Sequence, residues 1–484
     1  MNKIDKEIIE KLAVRVAELG GRVYLVGGAV RDEVMKRPIK DVDVEVHGIS
    51  ETVLEEVLKE LGKPLRFGSA FGVYSLAGHQ IDIALPRSER KSGAGHRDFE
   101  IEINPFIGIK EAARRRDFTM NALLKDILSG EITDPYGGVE DIRNRIIRHI
   151  DDKTFGEDPL RALRAAQFRS RFGFQVAPST ISICRALDIR ELSAERVEME
   201  MKKALLESRL PSEFFECLRE MDQLGYWFQE LEQLIGLEQN LKFHPEGDVW
   251  THTMMVLDRS AHFRSCVSDP YAFMLLALTH DFGKITATEF VNGAIHAYGH
   301  ELQGVEIAER FLDRVCQGSD IKRYIGNMLP NHMRPNNIAE ARSAVKKTNR
   351  MFDDAIAPID LIYFAICDKP KLLHLDAHSL SMASNEPHES LDNVSRKSEF
   401  YTYEEKLKEQ ERVNFLFERL DLYRDMMSRP YVTGKDLIDS GITPDNDFGT
   451  ILNYAHKLRL AGVPKDNALK QTLSYARKLR KNIK

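Results

Sequence analysis

Two short stretches decide the fold: Leu25–Asp32, LVGGAVRD, and Lys40–Val46, KDVDVEV. The first reads as a strand, Val23 to Val26, that runs into Gly27-Gly28 and opens a helix from about Ala29. The second reads as a strand of alternating acids and valines. Outward from this pair, a helical pattern from about Ile4 to Leu19 comes before it. Further strands, near Gly72–Leu76 and Gln80–Ala84, follow. Together they predict a small mixed sheet. The polar stretch Arg87–Phe99 (RSERKSGAGHRDF) reads as a mobile loop.

Asp41 and Asp43 stand at i and i+2, so both side chains leave one face of the strand. Adjacent acids repel each other. A hard divalent cation removes that penalty, and Mg²⁺ takes one or two carboxylates together with substrate phosphates. Asp82, in Gln80–Ala84 (QIDIA), is a third candidate. Three carboxylates around two metals suit in-line displacement at a nucleotide phosphate. The bland alternative for a lone DxD is a solvated strand edge. Gly27 and Gly28 weigh against it, because glycines at a helix N-terminus let backbone N–H groups approach a phosphate.

LVGGAVRD followed by KDVDVEV resembles the head of the nucleotidyltransferases of the polymerase-β superfamily. More narrowly, it resembles the class II tRNA nucleotidyltransferases (CCA-adding enzymes) and bacterial poly(A) polymerases. Downstream strings fit in order. Arg115–Ala122, RRDFTMNA, resembles the family motif RRDxxxNA. Arginine suits a triphosphate because its planar fork donates two parallel hydrogen bonds. The resemblance implies triphosphate and ribose contacts from Arg116, and Arg31, just past the glycines, is expected to hold the triphosphate as well. Asp134–Gly138 (DPYGG), with Asp141 and Arg148, matches the next motif and implies the joint between head and neck.

Glu157–Arg164, EDPLRALR, resembles the family's nucleotide-selecting template EDxxRxxR. Asp158 and Arg161 lie three apart on a predicted helix over 158–172, where an ordinary i,i+3 salt bridge is the competing reading. Cytosine and adenine each show an amino donor beside a ring-nitrogen acceptor. Asp158 would accept from the first and Arg161 donate to the second, while uracil and guanine present the reverse. Arg164 is implied as a further triphosphate and ribose contact. A later arginine of the family is Gln167 here, which puts one triphosphate contact in doubt. Glu195, Arg196 and Glu200 resemble the last neck motif, ERxxxE, read as helix-bracing.

Past about Asp151 strand signals disappear. His252, in HPEGDVWTHT, and His280-Asp281, after an apolar helix that Gly283 stops, come ahead of His296, His300, His332 and Asp368. Imidazoles and carboxylates from separated helices suit a metal site. We expect His252, His280, Asp281 and Asp368 to hold a divalent metal of unassigned identity. The ordered set resembles an HD phosphohydrolase domain. Some bacterial CCA-adding enzymes carry one, with phosphatase and 2′,3′-cyclic phosphodiesterase activity.

The 484 residues suggest about three domains at roughly 150 each. With 43% hydrophobic and 30% charged residues, the composition is that of a globular chain. The longest clean apolar run, Phe273–Leu278, is far below the ~18 residues of a membrane span. With no signal-peptide core and five scattered cysteines, a cytoplasmic protein with reduced thiols is expected. Net charge is −6, yet Lys457–Lys484 carries nine Lys or Arg against Asp466 alone. That tail and Gly434–Leu437 (GKDL) offer a sequence-independent phosphate grip.

The expected architecture is therefore α+β. A small mixed-sheet nucleotidyltransferase head (1–150) leads into an all-α neck (151–225), an HD-type helical body (226–375), a polar linker (371–402) and a helical basic tail (400–484). The expected activity is template-independent CCA addition to tRNA lacking or damaged at its 3′ CCA. CTP and ATP are the substrates, Mg²⁺ sits on Asp41 and Asp43, and no membrane is involved. The alternatives are addition of CC or A alone, poly(A) synthesis, and a catalytically silent RNA-binding protein. The 87–99 segment resembles the loop associated with the switch to ATP, which favours full CCA addition.

Overall fold

The computed structural model describes residues 3–39, 42–67, 72–91, 99–369 and 402–481. Asp41 and nearly all of the expected 371–402 linker lie outside them. The chain forms two compact units, Met1–Ser208 with Glu213–Trp227, and Arg209–Ser212 with Phe228–Lys484.

The first unit is built on a seven-stranded mixed sheet. Its strands are β1 (Arg22–Val26), β2 (Asp43–His47), β3 (Pro64–Phe67), β4 (Val73–Leu76) and β5 (Asp82–Ala84), then, after a separate hairpin, β8 (Leu124–Asp126) and β9 (Ile132–Thr133). The spatial order is β3-β4-β5-β2-β1-β8-β9. Only β2 and β5 run parallel, and their register sets Asp43 opposite Asp82. Val23–Val26, Val44 and Val46 are buried. The helix Lys3–Glu18 buries Ile9, Leu12, Ala13 and Val16, a 3–4 residue spacing that makes one apolar stripe.

The polar stretch read as a loop is instead the hairpin β6 (Arg87–Lys91) and β7 (Phe99–Ile103), with its tip, 92–98, outside the described residues. The alternation in Phe99–Ile103 (FEIEI) supplies the second strand. Helices follow at Leu160–Phe172, Pro178–Arg185, Ala194–Glu207 and Ser212–Glu220. Strands do not vanish after Asp151, however. Ile146–Ile147 pairs with Gln175–Val176, and Glu289–Val291 turns into Ala294–His296. The turn between the latter two is Asn292-Gly293, both at positive φ, the residue pair a two-residue hairpin favours.

The second unit is otherwise helical. Helix Pro270–Thr279 is buried from Tyr271 to its end and starts with Pro270 after Asp269, whose carboxylate accepts from the Tyr271 and Ala272 N–H groups. Leu361–Cys367 of helix Pro358–Cys367 is buried too. The C-terminal segment packs around Leu437, Ile442, Ile451 and Ala476.

Candidate functional site

In the first unit, a cleft of about 440 Å³ gathers most of the residues singled out in the sequence. Gly27, Gly28, Arg31, Asp43, Arg116, Asp158, Arg161 and Arg164 line it, together with Arg87, Arg115, Asp117, Leu160 and Asn121. Asp43 is exposed at the start of β2, and Asp82 is exposed opposite it in register, outside that lining. Two neighbouring carboxylates on paired strands are an all-oxygen donor set that suits a hard divalent cation.

Gly27 ends β1 with φ +64°, and a Cβ there would stand 2.8 Å from Arg116 Nη1. The glycine is required because the Arg116 guanidinium lies against its backbone. Arg116 and Arg115 both face Glu45, at 3.7 and 3.5 Å. The Glu45 carboxylate also takes a 2.8 Å contact from His47 Nε2. Burial opposes ionisation of Glu45, but His47, Arg116 and Arg115 outweigh it and bring its pKa down to about 2. Sequence reading missed Glu45. It shares the face of Asp43 by alternation, and a buried acid on that face needs cations.

Arg31 lines the cleft but is 5% exposed. It donates to Asp32 and Asn121, each at 2.8 Å, and lies over the rings of Phe168 and Phe172. Arg164 donates to Asp117 at 2.6 Å, and Asn121 donates to the other Asp117 oxygen. Burial raises the Asp117 pKa, but Arg164 and Asn121 prevail and hold it below the usual range. The RRDFTMNA string is thus a clasp on the neck helix Leu160–Phe172. Asp141 extends the clasp, accepting from Thr119 at 2.6 Å and from Arg148 at 3.2 Å.

Asp158 is not on the helix as expected but just before it, where it accepts from the Leu160 N–H at 3.1 Å. Its carboxylate takes Arg196 Nη2, 3.1 Å from both oxygens. Arg161 donates to the carbonyls of Thr154 and Arg115, at 2.7 and 2.8 Å. The two side chains are therefore held by other groups, which displaces the i,i+3 salt-bridge reading. Gln167 is 1% exposed and outside the cleft lining. Glu200, also fully buried, accepts from Lys203 at 3.0 Å. In the tail, Gly434 opens a short helix whose Asp436 closes a capping box with Thr433 and pairs with Lys465.

The second unit holds a cavity of about 1000 Å³ lined by His244, Asp281, Lys284, His300, His332 and Asp368, among others. His252 Nε2 lies 3.1 Å from Asp368 Oδ1 and 3.7 Å from Asp281 Oδ2. His280 Nε2 lies 3.2 Å from Asp281 Oδ2 and 3.7 Å from Asp368 Oδ1. His280 caps the C-terminus of Pro270–Thr279, and Asp368 caps that of Pro358–Cys367, ends whose dipoles favour a cation. Gly283 does not stop the helix, which ends at Thr279. A Cβ on it would stand 1.9 Å from the His300 carbonyl, so its bareness lets the two segments touch.

The Nδ1 atoms are all anchored. His252 Nδ1 meets Glu246 at 2.6 Å, and those of His280, His300 and His332 meet the carbonyls of Ala277, Ala297 and Leu329 at 2.9, 2.8 and 2.7 Å. For His280, His300 and His332 this leaves Nε2 as the atom able to face a metal, whereas His252 Nε2 lies against the Asp368 carboxylate at 3.1 Å. The buried His280 Nε2 and Asp281 Oδ2 have no hydrogen-bond partner. Lys284 Nζ lies 2.8 Å from that oxygen, an ion pair without hydrogen-bond alignment. Burial opposes ionisation of Asp281, yet His280 and Lys284 hold its pKa well below the usual range. Burial drives the His332 pKa down to about 4. His252 resists burial through Asp368 and Glu246, and its pKa rises to about 9. His252, His280 and Asp281 offer ligand atoms within 4.8 Å of one another, and Asp368 Oδ1 lies beside both imidazoles, a donor set whose chemistry suits a divalent ion. His296 lines the same cavity but belongs to none of these ligand groups, and its ring stacks on Tyr298.

With this geometry in hand, similarity to known proteins decides the family. Residues 23–148 match the poly A polymerase head domain. A multifunctional CCA protein of Actinobacillus pleuropneumoniae is 36% identical over 330 residues, covering 66% of this chain and 77% of that one. The chain belongs to the multifunctional CCA protein family. A second relative, from Pseudoalteromonas atlantica, is 39% identical over 310 residues, 62% of this chain and 73% of that one. The fold matches the solved Thermotoga maritima CCA-adding enzyme complexed with tRNA, with a TM-score of 0.61 at 18% identity over 98% of this chain and 96% of that one. Membership implies dependence on a divalent cation. Among the described residues, no helix is long and apolar enough to cross a membrane.

Proposed function

We propose that this protein is a tRNA nucleotidyltransferase that adds C, C and A to the 3′ end of tRNA from CTP and ATP, releasing pyrophosphate. The observation that carries the reading is the cleft itself. A glycine turn, a strand carboxylate, arginines and the Asp158–Arg161 pair all line one space large enough for a nucleotide.

Asp43, with Asp41 and Asp82, would hold Mg²⁺, which supplies charge neutralisation at the triphosphate. The Gly27-Gly28 backbone, Arg116 and Arg164 bind triphosphate and ribose. Arg31, sequestered under two phenyl rings, positions the turn while presenting one edge to the cleft. Asp158 and Arg161 read the base. Asp158 accepts from the amino group of C or A and Arg161 donates to the adjacent ring nitrogen, and both are held in place before substrate arrives. The basic tail grips the tRNA backbone, and the protein works in the cytoplasm.

A second reading applies to the other unit. His252, His280, Asp281 and Asp368 form a metal-dependent phosphoester hydrolase centre, supported by the 3.1–3.7 Å separations of their ligand atoms.

The test uses tRNA transcripts ending at the discriminator base, at C and at CC, with Mg²⁺ and single nucleotides, read at one-nucleotide resolution. Addition that stops at CCA supports the proposal. A stop at CC, or extension of the CC substrate alone, identifies a partial enzyme, and a long A ladder a poly(A) polymerase. No extension points to a silent RNA-binding protein.

A further inference from the structure

The cavity of the second unit is larger than its reacting group needs. At about 1000 Å³ it reaches the top of the range for small-molecule sites, and a phosphate group fills a small part of that. Two aromatic rings share its lining with the histidines and carboxylates, those of Tyr298 and Phe243. They are 76% and 68% exposed.

We propose that Tyr298, backed by His296, is the platform on which this cavity seats the nucleobase of its substrate. The inference rests on the reading of the cavity as a hydrolytic centre and names the residues that would hold the part of the substrate away from the phosphate.

The Tyr298 ring does not hang freely. It lies against the His296 imidazole, with centroids 4.9 Å apart and planes at 12°. An exposed side chain ordinarily loses rotamer freedom when a ligand docks, and stacking on His296 removes much of that loss beforehand. His296 is held in turn as the last residue of strand Ala294–His296, opposite Glu289 in the hairpin. On the other side Tyr298 leads into Gly299, at φ +75°, and then His300. The backbone N–H and Nδ1 of His300 both lie against the Ala297 carbonyl, at 3.4 and 2.8 Å. The phenol and the His300 imidazole therefore stand on one braced turn.

An exposed π-face suits a nucleobase because every base has a face to stack, whatever its edge pattern. Phe243, next to His244, brings a second ring to the same cavity, with Lys242 Nζ 5.7 Å from its centroid. Lys242, Lys369 and Lys408 in the lining add positive charge for a phosphate. Rings interleaved with cations are the surface a nucleotide needs, whereas a docking protein would call for a continuous apolar face.

The test separates the base from the phosphate. Two substrates are compared on the full chain with Mn²⁺ or Co²⁺. One is a nucleoside 2′,3′-cyclic phosphate, the other methyl riboside 2′,3′-cyclic phosphate, which has the same phosphodiester and no base. Tyr298→Ala should lower kcat/KM for the nucleotide about 5- to 150-fold, chiefly through KM. The abasic compound should stay within about twofold, which also reports that the variant is folded. Tyr298→Phe should keep most of the wild-type rate, and His296→Ala should show part of the Tyr298→Ala loss. Equal losses on both substrates, or none on the nucleotide, overturn the platform. A second readout needs no turnover. Irradiated 5-iodouridine 2′,3′-cyclic phosphate should crosslink at Tyr298, mapped by peptide mass spectrometry, while probe bound to the head appears on other peptides. Crosslinking at Tyr298 in a chain that hydrolyses neither substrate keeps the platform and overturns the hydrolytic reading. Crosslinks confined to other peptides overturn the platform.

Discussion

Arg196 is not among the residues lining the cleft, yet base selection should depend on it. Its Nη2 is 3.1 Å from both oxygens of Asp158. The two side chains are 35% and 31% exposed, so solvent screens the pair. A buried charge-assisted contact is worth about 1.5–3 kcal/mol, and screening reduces this to about 1 kcal/mol. Arg196→Ala should therefore lower the CTP-over-UTP ratio of kcat/KM about fivefold. Asp158→Ala, which removes the acceptor itself, should lower it by about 1–3 kcal/mol, or roughly 5- to 150-fold. Because Arg196 acts through Asp158, the effects should not add, and Arg196→Ala in the Asp158→Ala background should change the ratio by less than twofold. The assay is single-turnover addition of one nucleotide to tRNA ending at its discriminator base, with CTP or UTP. An unchanged ratio in Arg196→Ala, or the same fivefold loss in both backgrounds, refutes the positioning argument.

Other outcomes follow from the same geometry. Asp43→Ala should abolish nucleotide addition while leaving tRNA affinity, read by filter binding, within twofold, and surviving addition removes the metal assignment. Glu45 has a folded pKa of about 2, below its unfolded value near 4.5. Its stabilisation, on the order of 3 kcal/mol, is thus complete above about pH 4.5 and lost as pH falls toward 2. Urea unfolding of Glu45→Gln should show a shallower loss of stability over that window, and identical pH slopes would contradict it. Gly283→Ala forces a methyl to 1.9 Å from a backbone carbonyl, so it should cost about 3 kcal/mol or more. Thermal unfolding of the second unit reads this directly, and an unchanged transition would mean that the two segments separate freely.

What the sequence could and could not reveal follows from the range of each interaction. The glycine turn and the alternating acids of β2 are local patterns, so the strand–turn–helix–strand order is legible from adjacent residues. The role of Glu45 is not. It depends on Arg115 and Arg116, seventy residues away, and an acid in an alternating strand looks like solvated surface until those cations are placed. Asp158 and Arg161 show another limit. Their spacing left an i,i+3 salt bridge as a competing reading, and what excludes it is non-local: the helix begins after Asp158, Arg196 holds its carboxylate, and two carbonyls hold Arg161. The Asn292-Gly293 hairpin was readable and passed over, because its strands are only three residues long within a helical context. Five histidines of this region stand out in the sequence, but that four of them, His252, His280, His300 and His332, face a single aspartate could not be read there. That depends on His300 reaching Asp281 across the contact made possible by Gly283, a residue whose effect lies in the side chain it lacks.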